Sequence, residues 1–568
     1  MLTPRLRSGF LVALTALAVA ASGSTTAGAG STPARAARGM VVSQNAVASN
    51  VGWQVIRDGG NAVDAAVATA FALAVTHPTA GNIGGGGFMV FRPATGDPIT
   101  IDFREAAPSG SNPEMWLKDG KYDFDLHHNS HRSVGVPGTV AGLHLAWEKH
   151  GSKPWKSLVM PAVVLARDGF EVSFGLAASL ERMIPQFEKF PASLAQFTKN
   201  GQPYQPGDTL KQPDLARTLQ RIADQGADGF YTGETAALIA KEMQAHDGLI
   251  TEADLAAYKA HERAPIRGTY RGYEIIGMPP PSSGGVAIQE MLNILEGYDL
   301  EANGYGSAAN MHLVAESMRR AFAERARYLG DPDFVGDMPL EMLTSKAHAD
   351  MLRKTIDPKK ASVSSPTSFE WTHESPETTH FSVVDADRNA VSVTYTLEYG
   401  YGSRIVVPGG GFLLNNEMGD FNAGPGLTDA RGLIGTAPNL AQPGKRMLSS
   451  MSPTIVAKDG KLFMVTGSPG GRTIINTVLL TILNAVDFGM NAQEAVDAGR
   501  FHHQWLPDRI NYERYGFSAD VIRTLEGMGH TMNEIGSQGV AEVIMVGEDG
   551  VLEGGTDHRA PDSGVAGK

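Results

Sequence analysis

Four stretches of this chain share one pattern, and that pattern restricts the fold more than any other feature of the sequence. Residues 86–105 (GGFMVFRPATGDPITIDFRE), 380–397 (HFSVVDADRNAVSVTYTL), 454–471 (TIVAKDGKLFMVTGSPGG) and 541–555 (AEVIMVGEDGVLEGG) each set a Gly-, Asp- or Asn-bearing turn between two β-rich arms. Such arms around such a turn read as antiparallel hairpins. Helical stretches lie between them. Residues 61–77 open with Asn61 as an N-cap and are apolar nearly all round, which predicts a helix buried on every side. Residues 310–330 carry Met311, Val314, Met318, Phe322 and Leu329 at helical spacing, closed by Gly330. The span from about Val134 to Arg353 reads as mainly helical. Hairpins interleaved with long helices predict packed sheets covered by helices, an α+β architecture whose layers are α/β/β/α if the hairpins form two sheets.

Length and composition set the outer limits. A chain of 568 residues predicts three or four domains, and 42% apolar residues suffice for a large core. The 66 glycines and 32 prolines imply many tight loops. A formal charge of −13 with no basic run argues against a nucleic-acid partner, which needs clustered Lys and Arg. The absence of cysteine excludes disulfides, a lipid-modified Cys and thiolate metal sites. At the N-terminus Arg5 and Arg7 precede an apolar run from Phe10 to Ala21 and then small residues, the layout of a secretory signal peptide over residues 1–29 cleaved near Ala21 or Ala29. The apolar run is short of the ~20 residues a membrane span needs. The expected location is periplasmic or secreted, with no stable membrane span.

The stretch SPETTHFSVVD, residues 375–385, joins a period-free polar connector (359–377) to a strand that starts at two threonines. One reading is ordinary: β-branched residues open a strand. The other is chemical. A threonine hydroxyl is a weak nucleophile unless a base adjoins it, and the residue's own α-amine, with an unperturbed pKa of about 7.7–8.0, is such a base. An internal threonine acquires that amine only if the preceding peptide bond is cut, and an exposed connector accommodates a cut.

Further motifs accompany this junction: GNIGGGGFMVF (81–91), IDFREAAP (101–108), LLNNEMGDF (413–421) and RMLSSMSPTIVAKDGKLFMVTGSPGG (446–471). With TTHFSVVD they resemble the bacterial γ-glutamyltranspeptidases, members of the N-terminal nucleophile hydrolases, in the same order and from about Ala36 to the C-terminus. The resemblance implies a four-layer fold built from two interleaved chains after self-cleavage of the Glu377–Thr378 bond. The large subunit would span 30–377 and the small subunit 378–568, held together as a heterodimer. It implies Thr378 as self-cleaving residue and nucleophile, with the Thr396 hydroxyl hydrogen-bonded to it. It implies Arg104, Ser449 and Ser450 for the substrate's α-carboxylate, and Glu417, Asp420 and Glu398 for its α-ammonium. Many members carry Asn at the Glu398 position, so this chain would hold an extra carboxylate there, bringing like charges together. Taken alone, Arg104 reads as a surface ion pair with Asp102 or Glu105, and the double serine as a turn.

Gly470 and Gly471 in GSPGG can turn two consecutive N–H groups onto one oxygen, and the resemblance implies an oxyanion hole there. Gly84–Gly87 do not fit the dinucleotide fingerprint. The histidines of HHNSH (His127, His128, His131) and FHHQW (His502, His503) lack the helix-borne spacing of a zinc enzyme and read as structural; neither a metal nor a cofactor is expected. Residues 424–446, rich in Gly and Pro, match a lid, with Arg431 at the gating position where Tyr is common. The implied substrates are glutathione and other γ-glutamyl amides, with water, amino acids or dipeptides as acceptors. A glutaryl-preferring acylase of the same fold and an unprocessed binding protein are the competing readings.

Overall fold

The hairpins assemble edge to edge into two seven-stranded sheets in the computed structural model, which describes residues 31–364, 378–427 and 436–568. The first sheet runs Gly564–Gly567, Met40–Ser43, Thr379–Val384, Ala390–Thr396, Gly86–Arg92, Ile99–Phe103, His261–Arg263, with every neighbour antiparallel. The second runs Ala34–Ala36, Leu552–Gly555, Val543–Val546, Lys461–Thr466, Thr454–Lys458, Tyr273–Gly277, Ile266–Tyr270, again antiparallel throughout. All four hairpins expected from the sequence are present.

Alternation along the strands builds the layers. Phe88 and Val90 pack in one core with Val456 and Met464 of the other sheet, whereas Met89 and Phe91 join a second core beneath the helices. The helix Ala62–Thr76 covers the outer face of the first sheet against Thr379–Val384 and Ala390–Thr396. All its residues are buried, and Asn61 caps it in a capping box with Asp64. Gly284–Leu295 and Ala492–Asp497 cover the outer face of the second sheet. The result is the α/β/β/α order. Each buried Val, Leu or Phe contributes about 1.5–3 kcal/mol, which is why both faces of both sheets are covered.

Strands from before and after Thr378 are hydrogen-bonded neighbours within both sheets. Thr379–Val384 is bonded to Met40–Ser43 on one side and to Ala390–Thr396 on the other, which in turn binds Gly86–Arg92. A backbone cut before Thr378 therefore leaves every one of these ladders in place.

Three expectations need correction. The strands His261–Arg263, Ile266–Tyr270 and Tyr273–Gly277 lie inside the span read as mainly helical. The last two turn at Arg271 and Gly272, both at positive φ, and Ile266–Tyr270 is a half-exposed edge strand, so its apolar signal is thin beside the neighbouring helices. The helix expected at 310–330 is Ala308–Tyr328, started by Ser307 and ended before Gly330. In place of three or four domains, Thr32–Lys568 forms one compact unit, because each sheet recruits strands from distant parts of the chain. The signal-peptide segment, Glu377 and Arg431 lie outside the described residues. No helix among the described residues is long and apolar enough to cross a membrane.

Candidate active site

Hairpin register decides what Thr378 meets. Thr379 pairs with Tyr395, so one step outward places Thr378 beside Thr396. The Thr378 hydroxyl donates to the Thr396 hydroxyl at 3.3 Å, and Thr396 Oγ1 also accepts the amide of Glu398 at 2.9 Å. Strand alternation sends the next threonine the other way. Thr379 shares the face of Phe381 and Val383, which pack under the helices, whereas Thr378 lines a cavity. The glycine run before it has a packing reason: a Cβ on Gly85 would lie 2.0 Å from the Thr396 carbonyl oxygen.

His380, two residues on, is committed elsewhere. Its ring nitrogens lie 2.9 Å from Thr394 Oγ1 and 3.1 Å from Ser382 Oγ, and burial pushes its pKa down to about 3. This imidazole is neutral and ties strands together.

The same cavity is lined by Arg104, Thr378, Thr396, Glu398, Glu417, Asp420, Ser449, Ser450 and Gly471. Every site residue inferred from the sequence and described in the structure is there except Gly470, which is the neighbour of Gly471. Arg104 follows the strand Ile99–Phe103, and its side chain is 1% exposed, which overturns the surface ion-pair reading. Asp102 is engaged instead by Arg263 and Arg446, at 2.8 and 2.5 Å. Arg104 donates from Nε to the Met447 carbonyl at 3.3 Å, meets Glu417 at 2.5 Å and pairs with Asp420. The cationic and anionic halves of the site are thus in direct contact rather than separate. With five N–H donors, a guanidinium can hold both acids and still present donors to a third carboxylate.

Glu417 and Asp420 share the one-turn helix Glu417–Asp420. Asn415 Oδ1 accepts the Glu417 amide at 3.0 Å, and Asn439 holds the Asp420 carbonyl at 2.7 Å. Glu398 sits at φ 81° and accepts from Asn416 Nδ2 at 2.6 Å. A fourth acid, Glu105, lies 3.5 Å from Arg104. Burial pushes Glu105 up to about 8, against the lowering effect of Arg104. Burial likewise raises Glu417 well above the usual carboxylate range; Arg104 opposes this, and Glu105, Asp420 and Glu398 add to it. Burial acts to lower the Arg104 pKa, but Glu417, Asp420 and Glu105 outweigh it and the pKa is raised. One guanidinium among four acids makes a site short of positive charge.

Ser449 Oγ accepts the Met451 amide at 3.1 Å, and Ser450 Oγ accepts from Arg325 NH2 at 2.9 Å. Arg325 Nε also donates to Ser283 Oγ at 2.6 Å, and Ser283 donates to the Ser449 carbonyl at 2.7 Å. Arg325 thus fixes the serine pair from behind. Replacing it with the similarly sized Met removes charge-assisted bonds worth about 1.5–3 kcal/mol each. Arg325→Met is expected to raise KM for a γ-glutamyl anilide about tenfold or more with the chain still cleaved; steady-state kinetics beside a denaturing gel checks this, and an unchanged KM would remove Arg325 from the site.

Gly470 and Gly471 occupy positive φ, 133° and 56°, and sit just before the helix Thr473–Val486. Among the described residues neither amide donates a hydrogen bond. Two such N–H groups at the positive end of a helix can receive a developing oxyanion. The candidate lid is described only in part, because 428–435 lie outside the described residues. Its C-terminal end is anchored, with Lys445 and Arg446 buried and Arg446 paired to Asp102. Sequence reasoning missed Glu105, Arg325 and the orienting Asn415 and Asn416. The two asparagines were visible in NNEMGD as amides flanking an acid; Arg325 gave no local signal inside its helix.

A four-layer α/β/β/α sandwich with a threonine at the head of a central strand, aimed into a cavity, defines an N-terminal nucleophile hydrolase. The chain belongs to the γ-glutamyltranspeptidase family: the family model described as Gamma-glutamyltranspeptidase matches residues 48–567. It is similar to the glutathione hydrolase proenzyme of Escherichia coli (strain K12), at 51% identity over 543 residues covering 94% of this chain and 93% of that protein. Among solved structures it is similar to the γ-glutamyltranspeptidase of Helicobacter pylori, at 46% identity and TM-score 0.55 over 56% of this chain and 91% of that chain. It is also similar to the cephalosporin acylase from Bacillus halodurans, at 26% identity and TM-score 0.84 over 96% of this chain and 98% of that one.

Proposed function

We propose that this chain is an exported, self-processing γ-glutamyl hydrolase and transferase acting on glutathione and related γ-glutamyl amides. The observation that carries the reading is the convergence on one cavity of a hydroxyl pair, a guanidinium, three acids, two serines and a glycine N–H. The resemblance to a glutathione hydrolase proenzyme supports the substrate class and the self-processing.

Processing begins with the Thr378 hydroxyl attacking the carbonyl carbon of Glu377. The acyl group passes from nitrogen to oxygen, water hydrolyses the resulting ester, and Thr378 is left with a free α-amine. In turnover that amine takes the hydroxyl proton as Thr378 Oγ1 attacks the γ-carbonyl. The Gly470 and Gly471 amides hold the oxyanion, and the proton passes to the departing amine. A γ-glutamyl ester on Thr378 remains. Water releases glutamate from it, or the amine of an amino acid or dipeptide takes the acyl group, and Thr378 regains its proton. Arg104, Ser449 and Ser450 receive the α-carboxylate. The α-ammonium adds positive charge beside that of Arg104 for Glu398, Glu417 and Asp420, favouring their ionised forms. N-terminal sequencing of the smaller chain tests the processing step: it should begin at Thr378, and a start at Thr379 would refute the assignment. Cleavage of residues 1–29 during export is tested by the N-terminus of the larger chain.

The likeness to a cephalosporin acylase keeps a second reading, a glutaryl acylase, in view. A γ-glutamyl and a glutaryl group differ by the α-ammonium alone, so the acids decide between them. Sites built for a polar group reject analogues lacking it by up to about 10⁴-fold. The wild type is expected to prefer γ-glutamyl over glutaryl amides by at least about a hundredfold in kcat/KM, and Asp420→Asn to narrow the gap mainly by losing the first activity. Both amides assayed on both proteins settle it; equal or greater wild-type activity on the glutaryl amide would transfer the chain to the acylase reading.

A further inference from the structure

We propose that His131, Glu242 and His246 form a binding site for a borderline divalent cation of the zinc class, outside the catalytic cavity. Glu242 lies on the last turn of the helix Gly233–Ala245 and His246 caps that helix, one turn further on, so both side chains leave the same face. His131 arrives from the short helix His131–Ser133. Its Nε2 lies 2.9 Å from Glu242 Oε1, and His246 Nε2 lies 3.6 Å from that same oxygen. The two imidazole rings are 4.7 Å apart and within 21° of parallel. Around tetrahedral Zn²⁺ with bonds of about 2.0–2.1 Å, adjacent ligand atoms sit about 3.3 Å apart. The two nitrogen–oxygen separations straddle that value and all three ligand atoms lie within 4.8 Å of one another, so side-chain rotation completes the site.

The donor set and its exposure both fit. Two imidazoles and a carboxylate suit Zn²⁺, Co²⁺ or Ni²⁺ rather than Ca²⁺ or Mg²⁺, and the chain has no thiolate to compete. His131 and Glu242 are held by burial, at 9% and 12% side-chain exposure, while His246 is 55% exposed and leaves room for water as a fourth ligand. Two other clusters of similar composition are less open to an ion. Beside His312 and His530, Glu316 is taken by Arg319, Arg320 and the Ser362 amide, and the two imidazoles bond each other at 2.8 Å. In the Glu290–Glu324–His348 cluster, Glu290 and His348 are buried and Glu324 is partly buried, so no ligand is exposed enough to leave room for water as a fourth ligand. The site revises the structural reading of His131 alone.

Its position gives the site a neighbour of consequence. The helix Phe124–His128, just before His131, backs the acid turn: His127 Nε2 lies 3.0 Å from the Met418 carbonyl, and Asn416 Nδ2 donates to the His128 carbonyl at 3.2 Å. A bound cation would tie the C-terminal end of Gly233–Ala245 to the segment that supports Glu417 and Asp420.

The test is titration of the untagged, processed protein with Zn²⁺ by equilibrium dialysis, and with Co²⁺ by visible absorption. One saturable equivalent is expected, with a Co²⁺ band that Zn²⁺ displaces. His246→Ala, at an exposed position, and Glu242→Gln should each weaken binding by about tenfold or more, while His348→Gln leaves it unchanged. Absence of a saturable equivalent, or affinity unaltered in both His246→Ala and Glu242→Gln, overturns the proposal. The binding readout does not depend on turnover, so it stands apart from the proposed activity.

Discussion

Thr378→Ala is expected to yield a folded, uncleaved chain near the 60.3 kDa of the full sequence and with no measurable turnover. The variant loses two functions at once. Without the hydroxyl no acyl shift can start at the Glu377–Thr378 bond, so the α-amine is never released. Without the nucleophile no γ-glutamyl ester can form. Removal of the nucleophile in a comparable catalytic group costs about 10⁶-fold in kcat, so a loss of at least about 10⁵-fold is expected here. Folding should survive, because the strand Thr379–Val384 is held by ladders on both sides and the change removes one small side chain at its head. Thr378→Ser keeps a hydroxyl and should still cleave, more slowly. A denaturing gel and an anilide assay on the three proteins provide the check. Cleavage of the alanine variant would move the self-processing residue elsewhere.

The second large effect concerns Arg104, and the structure changes how it should be tested. Arg104→Ala leaves Glu105, Glu417 and Asp420 without their cation in a buried site, and uncompensated buried charge costs about 3–5 kcal/mol. That variant risks losing the fold. Arg104→Lys keeps the charge that balances the acids but loses the planar fork that meets a carboxylate through two N–H groups. Losing a buried carboxylate partner costs about 2–5 kcal/mol. Arg104→Lys is therefore expected to raise KM from about 30-fold to several thousand-fold, while self-cleavage proceeds, since the precursor holds no free α-carboxylate. Kinetics on the lysine variant with its processing monitored by gel tests this; a wild-type KM would show that Arg104 only balances the acids.

What could be read in the sequence was what local geometry governs. The four hairpins were legible because arm alternation and turn chemistry act within a dozen or so residues. The Thr378–Thr396 contact was expected from the motif resemblance, and the structure gives its reason: the two lie 18 residues apart on one hairpin, and its register sets them side by side. Motif resemblance supplied the remaining site residues, and all those described, Gly470 aside, line the one cavity. The missed hairpin near Arg271 marks the limit, because a half-exposed edge strand carries too few apolar residues to stand out among helices.

The sequence by itself determined the four hairpins, the buried helices and that Thr378 and Thr379 face opposite ways, since periods of two and 3.6 residues are properties of the local backbone. Only the tertiary structure decided the charge state of the site. Arg104 and Asp420 are 316 residues apart, Arg325 and Ser450 are 125 apart, and His131 and Glu242 are 111 apart. No local period links such positions; they meet because two sheets and their covering helices pack around common cores. Burial then removes the water that would screen Arg104, Glu105 and Glu417. In water these groups would be ordinary surface charges; together and desolvated they become a cation-seeking pocket.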